Sequence, residues 1–215
     1  MEALQEINSI VEEIRGLSTQ QIAELIRDER SRTRKAAELA TRDVLTELLN
    51  RKGLNEAIDI LEAEHTRAEW PAKQKLQGYA IFIDADNLHN INRIISQDAG
   101  DKFLIAVATA IDVSTTRDTD LKARQGGDEF IIVLPHTDKE GVFLVLSKLV
   151  NILKHQENEA QIEFPGIEFS ASFGVCPFGE ARDIRGALKI AEARMKEAKN
   201  KNLKRGTHID TIIID

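Results

Sequence analysis

Only one cysteine, Cys176, occurs among the 215 residues, so the chain can close no internal disulfide and offers no cysteine cage for zinc. That scarcity suits a reducing cytoplasm. Positive charge is also in deficit: 29 Lys and Arg stand against 36 Asp and Glu, a formal net charge of -7. A chain that coats nucleic acid or lies on an anionic membrane needs clustered cations, so neither partner is expected. A small anionic ligand stays open, provided that positive charge is local or arrives with a metal. Long apolar runs are missing too, and none approaches the roughly 20 residues that span a bilayer. The opening "MEALQEINSIVEEIRGL" interrupts its apolar residues with acidic ones and has no basic stretch ahead of a signal-peptide core. The expectation is a soluble, cytoplasmic protein with one ordinary domain and a smaller extension.

Proline is absent from residues 1–41 and glycine appears there once, as Gly16. Leu4, Ile7, Val11, Ile14 and Leu17 recur at three- and four-residue steps, which predicts an amphipathic helix. Gly16 breaks it. Ser18 with Gln21 has the spacing of a capping box and predicts a second helix through Ile22, Leu25 and Ile26. The stretch "RDERSRTRKAAELATRD" then turns charged and alanine-rich, as either a solvated helix face or a connector that pairs with a second copy. Residues 1–41 are therefore set apart as a helical segment from residues 42–215.

Beyond that boundary strand and helix signals alternate. "YAIFID" (79–84) reads as a buried strand ending on a carboxylate. "LHNINRII" and "DKFLIAVATAI" have helical spacing, with Gly100 as the break between them and Asp101 placed to cap the second. "LKARQ" and "EFIIVLP" flank a glycine pair, a helix is expected over 139–154, and "IEFSASFGVC" has strand character. A charged helix over 183–200 precedes "THIDTIIID", an expected edge strand. The mixture predicts an α/β fold, an α+β sandwich in which helices cover a mostly antiparallel sheet.

The stretch "RQGGDEFIIV" (124–133) sets two glycines and two adjacent carboxylates in front of an apolar run. Gly126 and Gly127 supply the positive φ of a tight hairpin turn, which is the plain reading. A hairpin has no need of Asp128 and Glu129 side by side, because like charges repel; a divalent cation between them and a phosphate makes the pair favourable. Asp84 and Asp86 close the strand "YAIFID". If that strand pairs with the hairpin, Asp84 and Asp128 meet at one edge of the sheet, and Mg²⁺ takes one or two carboxylates plus substrate phosphates. The competing reading makes Asp84 and Asp86 the start of a loop that caps the next helix.

Several separated motifs, in one order, resemble the GGDEF domain of diguanylate cyclases. They are "DVLTELLNR" (43–51), "IDADNLHNIN" (83–92), "AGD" (99–101), "RQGGDEF" (124–130), "SASFGV" (170–175) and "AEARMKEAK" (191–199), and they span about four fifths of the chain. The resemblance implies a palm-like nucleotidyl cyclase domain with a central five-stranded, mostly antiparallel sheet flanked by helices and preceded here by N-terminal helices. It implies condensation of two GTP into cyclic di-GMP plus pyrophosphate by a bacterial homodimer, one GTP to each subunit. Asp84, the Ala85 carbonyl, Asp128 and Glu129 match the positions that hold Mg²⁺ (or Mn²⁺). Glu129 and Asp128 match the catalytic carboxylates that activate the 3'-hydroxyl. Asn92 and Asp101 match the guanine-binding pair, a carboxylate and an amide that reject adenine because its edge is patterned differently. Gly126, Gly127, Lys199 and His89 complete the GTP contacts. Arg117 and Asp120 have the spacing of the RxxD site, where cyclic di-GMP inhibits its own synthesis.

The chain also departs from the family pattern. His89 stands where the family has lysine, Arg93 where it has aspartate, and Leu203 where it has arginine. Histidine carries full charge at pH 7 only when its pKa is raised. Two alternatives therefore accompany the cyclase reading: a catalytically weak domain that binds GTP or cyclic di-GMP and signals through its helices, and a cyclase with relaxed base choice, against which Asp101 argues.

Overall fold

The computed structural model of the protein describes residues 15–67, 77–165, 170–205 and 211–212, with no side chain described for residues 34, 65–67, 201–205 and 211–212. The chain separates into two compact units, Met1–Ala40 and Thr41–Asp215. The helix expected from Leu4 to Leu17 falls mostly outside the described residues. The next helix, α1 (Thr19–Thr41), opens with the reciprocal cap that the spacing predicts. The Gln21 amide donates to Ser18 Oγ at 3.3 Å, and the Ser18 amide donates to Gln21 Oε1 at 2.9 Å. Leu25, Ile26 and Leu39 on α1 are exposed.

The second unit follows the order α2 (Arg51–Arg67), β1 (Gly78–Ala85), α3 (Leu88–Ile94), α4 (Gln97–Ser114), β2 (Leu121–Gly126), β3 (Glu129–Pro135), α5 (Lys139–Glu163), β4 (Ala171–Pro177), α6 (Ile184–Arg205) and β5 (Thr211–Ile212). The strands lie in the order β2-β3-β1-β4-β5. Every neighbouring pair is antiparallel except β4 and β5. Four strands of six to eight residues make the body of the sheet, whereas β5 contributes two residues against Phe173 and Gly174. The expected five-stranded, mostly antiparallel sheet is thus four full strands with a two-residue fifth at the edge, and the rest of "THIDTIIID" lies outside the described residues.

β1 is apolar at nearly every position because both of its faces are covered. Ile81, Ile83 and Ala85 face one layer, with Ile132 and Leu134 of β3, against Phe103, Val107 and Ile111 of α4 and Leu146, Leu149 and Leu153 of α5. Ala80 and Phe82 face the other, with Ile131 and Val133, against Leu54 and Ile58 of α2 and Ala187, Ala191 and Met195 of α6. This is the α+β sandwich that the sequence predicts. α6 approaches most closely at Gly174, where a Cβ would stand 1.9 Å from the Ala191 carbonyl oxygen and 2.3 Å from the Met195 nitrogen. Only the absence of a side chain lets helix and strand touch there.

Two local expectations are overturned. Gly100 is no break but lies buried inside α4, and Asp101 does not cap it. The cap is Ser96, whose Oγ accepts from the Ala99 amide at 3.1 Å. Serine directly before the first helical residue supplies the acceptor that the orphan amides need, which leaves the Asp101 carboxylate out of that role. The helix expected over 139–154 runs on to Glu163.

Candidate active site

β1 and β3 pair in a register that sets Asp84 directly opposite Glu129, and β1 with β4 sets Asp84 opposite Ser172. Alternation along the strands puts these three side chains on the α6 face. The carboxylates meet at one end of two central strands rather than at a lateral edge, since β1 lies in the middle of the sheet. Gly126 (φ 152) and Gly127 (φ 54) form the turn, with a register shift between Arg124 and Gly126. A Cβ on either glycine would meet nothing within 4 Å, so backbone conformation and not crowding calls for glycine here. The Ala85 amide donates to the Asp128 carbonyl at 2.8 Å, tying the turn to the end of β1.

α6 delivers Lys199, whose Nζ donates to Asp84 Oδ1 at 2.6 Å. Burial pushes the Asp84 carboxyl up; the Lys199 hydrogen bond opposes this, and the Asp128 charge adds to it. Burial likewise raises Glu129, helped by the charges of Asp128, Asp84 and Glu192 and opposed by Lys196. Asp86 is pushed up to about 6, first by burial and then by the Asp84 charge, although it accepts the Ser172 hydroxyl at 3.0 and 3.1 Å. Asp86 is thus occupied in joining the end of β1 to β4, a role its place in the sequence did not reveal. The oxygen donors suit a hard divalent cation. Among the described residues no three acidic, histidine or cysteine side chains form a ready-made metal cage.

Asn92 on α3 packs against α4 at Gly100, where a Cβ would stand 1.8 Å from Asn92 Oδ1. That oxygen is buried and accepts no hydrogen bond. Asp101, the next residue along α4, is half-buried and sits 3.5 Å from Gln97 Nε2. His89 is exposed on α3, and the side chain of Leu203 lies outside the described residues.

Arg117 and Asp120 precede β2, at the opposite end of that strand from the glycine turn. The Arg117 amide donates to Asp120 Oδ2 at 3.2 Å, while its guanidinium donates to Thr137 Oγ1 at 3.2 Å and to the His136 carbonyl at 3.4 Å. Asp120 is buried, its Oδ1 has no partner, and burial raises its carboxyl against the pull of Arg117. A cavity of about 710 Å³ touches Asp120, Leu48, Ile105 and Lys122 but none of Asp84, Asp128 or Glu129. Two residues outside the expected set bear on the turn: Arg124, within the quoted signature, which donates to the Gly127 carbonyl, and Asp43, at the first residue of the opening motif, which accepts from Arg124.

The family model described as "Diguanylate cyclase, GGDEF domain" matches residues 40–205. The diguanylate cyclase DgcM of Escherichia coli K12 is 28% identical over 163 residues, which cover 75% of this chain and 36% of DgcM. The response regulator PleD of Caulobacter vibrioides is 35% identical over 100 residues, 46% of this chain and 20% of PleD. The chain therefore spans about a third or less of these relatives. Among solved structures, the coiled coil and GGDEF domain of DgcB from Caulobacter crescentus, in complex with c-di-GMP, superposes with a TM-score of 0.66 at 20% identity, over 90% of this chain and 96% of that one. A microbial GGDEF domain studied with cyclic di-GMP gives a TM-score of 0.60 at 26% identity, over 80% and 99%. With the carboxylate pair, the glycine turn and the sandwich in place, this chain belongs to the GGDEF domain family of diguanylate cyclases.

Proposed function

We propose that the domain is a diguanylate cyclase that joins two GTP molecules into cyclic di-GMP with release of pyrophosphate, working as a homodimer with one GTP on each subunit. The observation that carries this reading is the Asp84–Glu129 register, which collects Asp84, Asp128 and Glu129 at one end of the central strands under Lys199. Asp84, the Ala85 carbonyl and Asp128, with Glu129 beside them, would hold Mg²⁺ or Mn²⁺. When bound, the metal supplies positive charge against the triphosphate. Glu129, its pKa raised by burial and like charge, accepts the proton of the attacking 3'-hydroxyl. Lys199 exchanges its hold on Asp84 for a phosphate oxygen, and the open turn at Gly126 and Gly127 admits the phosphates. The unpartnered Asn92 Oδ1 takes an N–H of the guanine edge, and Asp101 takes its neighbours.

Residues 1–41 serve in this reading as a dimerisation and regulatory segment, to which the exposed Leu25, Ile26 and Leu39 of α1 lend an apolar surface. Arg117 and Asp120 form the inhibitory cyclic di-GMP site, with Asp120 Oδ1 as a waiting acceptor. Among the described residues no helix is long and apolar enough to cross a membrane. One observation favours a second reading, a binding module of low activity: His89 on α3 is exposed and stands where the family has a phosphate-side lysine.

Chromatography of the products formed from GTP and Mg²⁺ tests the enzyme reading. Cyclic di-GMP is expected from the parent chain, with loss of about 10²–10⁴-fold in rate on Glu129→Ala and an unchanged circular dichroism spectrum. Absence of any dinucleotide at high protein concentration removes the enzyme and leaves the binding module.

A further inference from the structure

We propose that Arg124 and Asp43 are positioning residues for the glycine turn, a role that rests on the cyclase reading above. Gly126 and Gly127 are the least restricted backbone in the hairpin, so the turn needs an external hold if Asp128 is to keep one orientation. Arg124 provides it. Its Nε and Nη2 both donate to the Gly127 carbonyl, at 3.0 and 2.7 Å, and its Nη1 donates to both carboxylate oxygens of Asp43, at 3.1 and 3.3 Å. The planar guanidinium fixes these directions together, which an ammonium group cannot do. The Asp128 carbonyl is gripped separately by the Ala85 amide at 2.8 Å. Two successive carbonyls are thus anchored, one to Arg124 and one to β1, and the α-carbon of Asp128 is suspended between them.

Asp43 is itself held in place. It accepts from the Thr46 amide at 2.9 Å and from Thr46 Oγ1 at 2.7 Å. Burial raises its carboxyl, but the Thr46 hydrogen bonds and the Arg124 guanidinium outweigh burial and hold it below the ordinary value. The side chains are well covered, Arg124 at 12% exposure and Asp43 at 24%, so solvent competes weakly for the pair. Backbone hydrogen bonds from Leu49 to the Lys122 carbonyl (3.0 Å) and from Arg124 to the Leu49 carbonyl (2.8 Å) stitch the same 43–49 segment to β2. Asp43 follows the last residue of α1, Thr41, by two positions. The bridge therefore connects the start of the catalytic unit to its turn through a single side-chain contact.

The test compares Arg124→Gln, Arg124→Lys, Asp43→Asn and the Asp43→Asn/Arg124→Gln double variant in the full chain. Hydrogen exchange should speed up about 10-fold in the peptide over 124–130 in every variant while α5 stays as protected as in the parent. For GTP turnover, kcat should fall about 10- to 100-fold with KM within about 3-fold, because the guanine contacts lie on α3 and α4. The double variant should be no worse than Arg124→Gln alone, since Asp43 acts through Arg124. Arg124→Lys should not rescue. Additive losses, parent-like exchange in the turn, or loss of protection throughout α5 would each overturn the proposal. If the parent makes no dinucleotide the cyclase reading falls by itself, and the exchange rates of the four variants still judge the bridge.

Discussion

The hairpin β2–β3 carries candidate sites at both ends, and the two are built on opposite principles. At the glycine turn, Asp84, Asp128 and Glu129 crowd together, raising the carboxyls of Asp84 and Glu129, with Lys199 as the cation bonded to Asp84. At the other end Arg117 donates through Nη1 to the His136 carbonyl and to Thr137 Oγ1 and through its amide to Asp120, so a cation and a carboxylate face each other there. The first end keeps unfavourable charge in place because packing elsewhere holds it there, chiefly α6 pressed onto Gly174. The second leaves Asp120 Oδ1 buried without a partner, while a ligand must compete with the hydrogen bonds of Arg117 Nη1. Crowded like charge thus sets the turn end apart from the Arg117 end, where opposite charges face each other.

Substitutions can strain this contrast, beginning with the packing that holds the charged end. Gly174→Ala places a methyl 1.9 Å from the Ala191 carbonyl and should push α6, and Lys199 with it, off the sheet. A loss of about 1–3 kcal/mol is expected in urea unfolding. Unchanged stability would mean that α6 yields without cost and that the charge cluster is not held by this contact. Gly100→Ala drives a methyl to 1.8 Å from Asn92 Oδ1, a side-chain end that can swing away. Folding should survive while KM for GTP rises about 10-fold, the worth of about one hydrogen bond. An unaltered KM would take Asn92 out of guanine recognition.

The remaining tests are gentler. Arg117→Ala should raise the cyclic di-GMP concentration needed for half-inhibition about 10-fold, as expected when a charge-assisted contact is lost. The same inhibition curve would show that the second end binds no product. For Asp86, with its carboxyl raised to about 6 in the fold against roughly 4 in the unfolded chain, the stabilisation is fully present below about pH 4 and is lost as pH rises through about 6. Asp84, Glu129 and Asp120 slope the same way, so Asp86→Asn should flatten the fall in Tm between pH 4 and 6 without abolishing it. A Tm profile parallel to the parent's would place the Asp86 titration outside that window.

Much of this was legible in the sequence, for reasons that differ by residue. Ser18 and Gln21 announce their cap because both partners lie within one helical turn. β1 declares a strand covered on two faces by its unbroken apolar run. Asp101, by contrast, has the residue type of a cap and directly follows a glycine that reads as a break, while Ser96 takes the Ala99 amide instead. Gly100 looked like a helix break, yet its missing side chain serves Asn92 on another helix, a reason invisible without the packing.

The sequence by itself determined the chemical inventory: paired carboxylates behind a glycine turn, a single cysteine, an excess of acidic over basic residues, and an order of motifs sufficient to expect the family. Those are properties of residue type and local spacing, which survive without coordinates. The tertiary structure alone decided which residues act on one another across long stretches of chain. Lys199 reaches Asp84 across 115 residues, Ser172 reaches Asp86 across 86, and Arg124 reaches Asp43 across 81. Such pairings follow from strand order and from how closely a helix can lie on a sheet, quantities that no local pattern encodes.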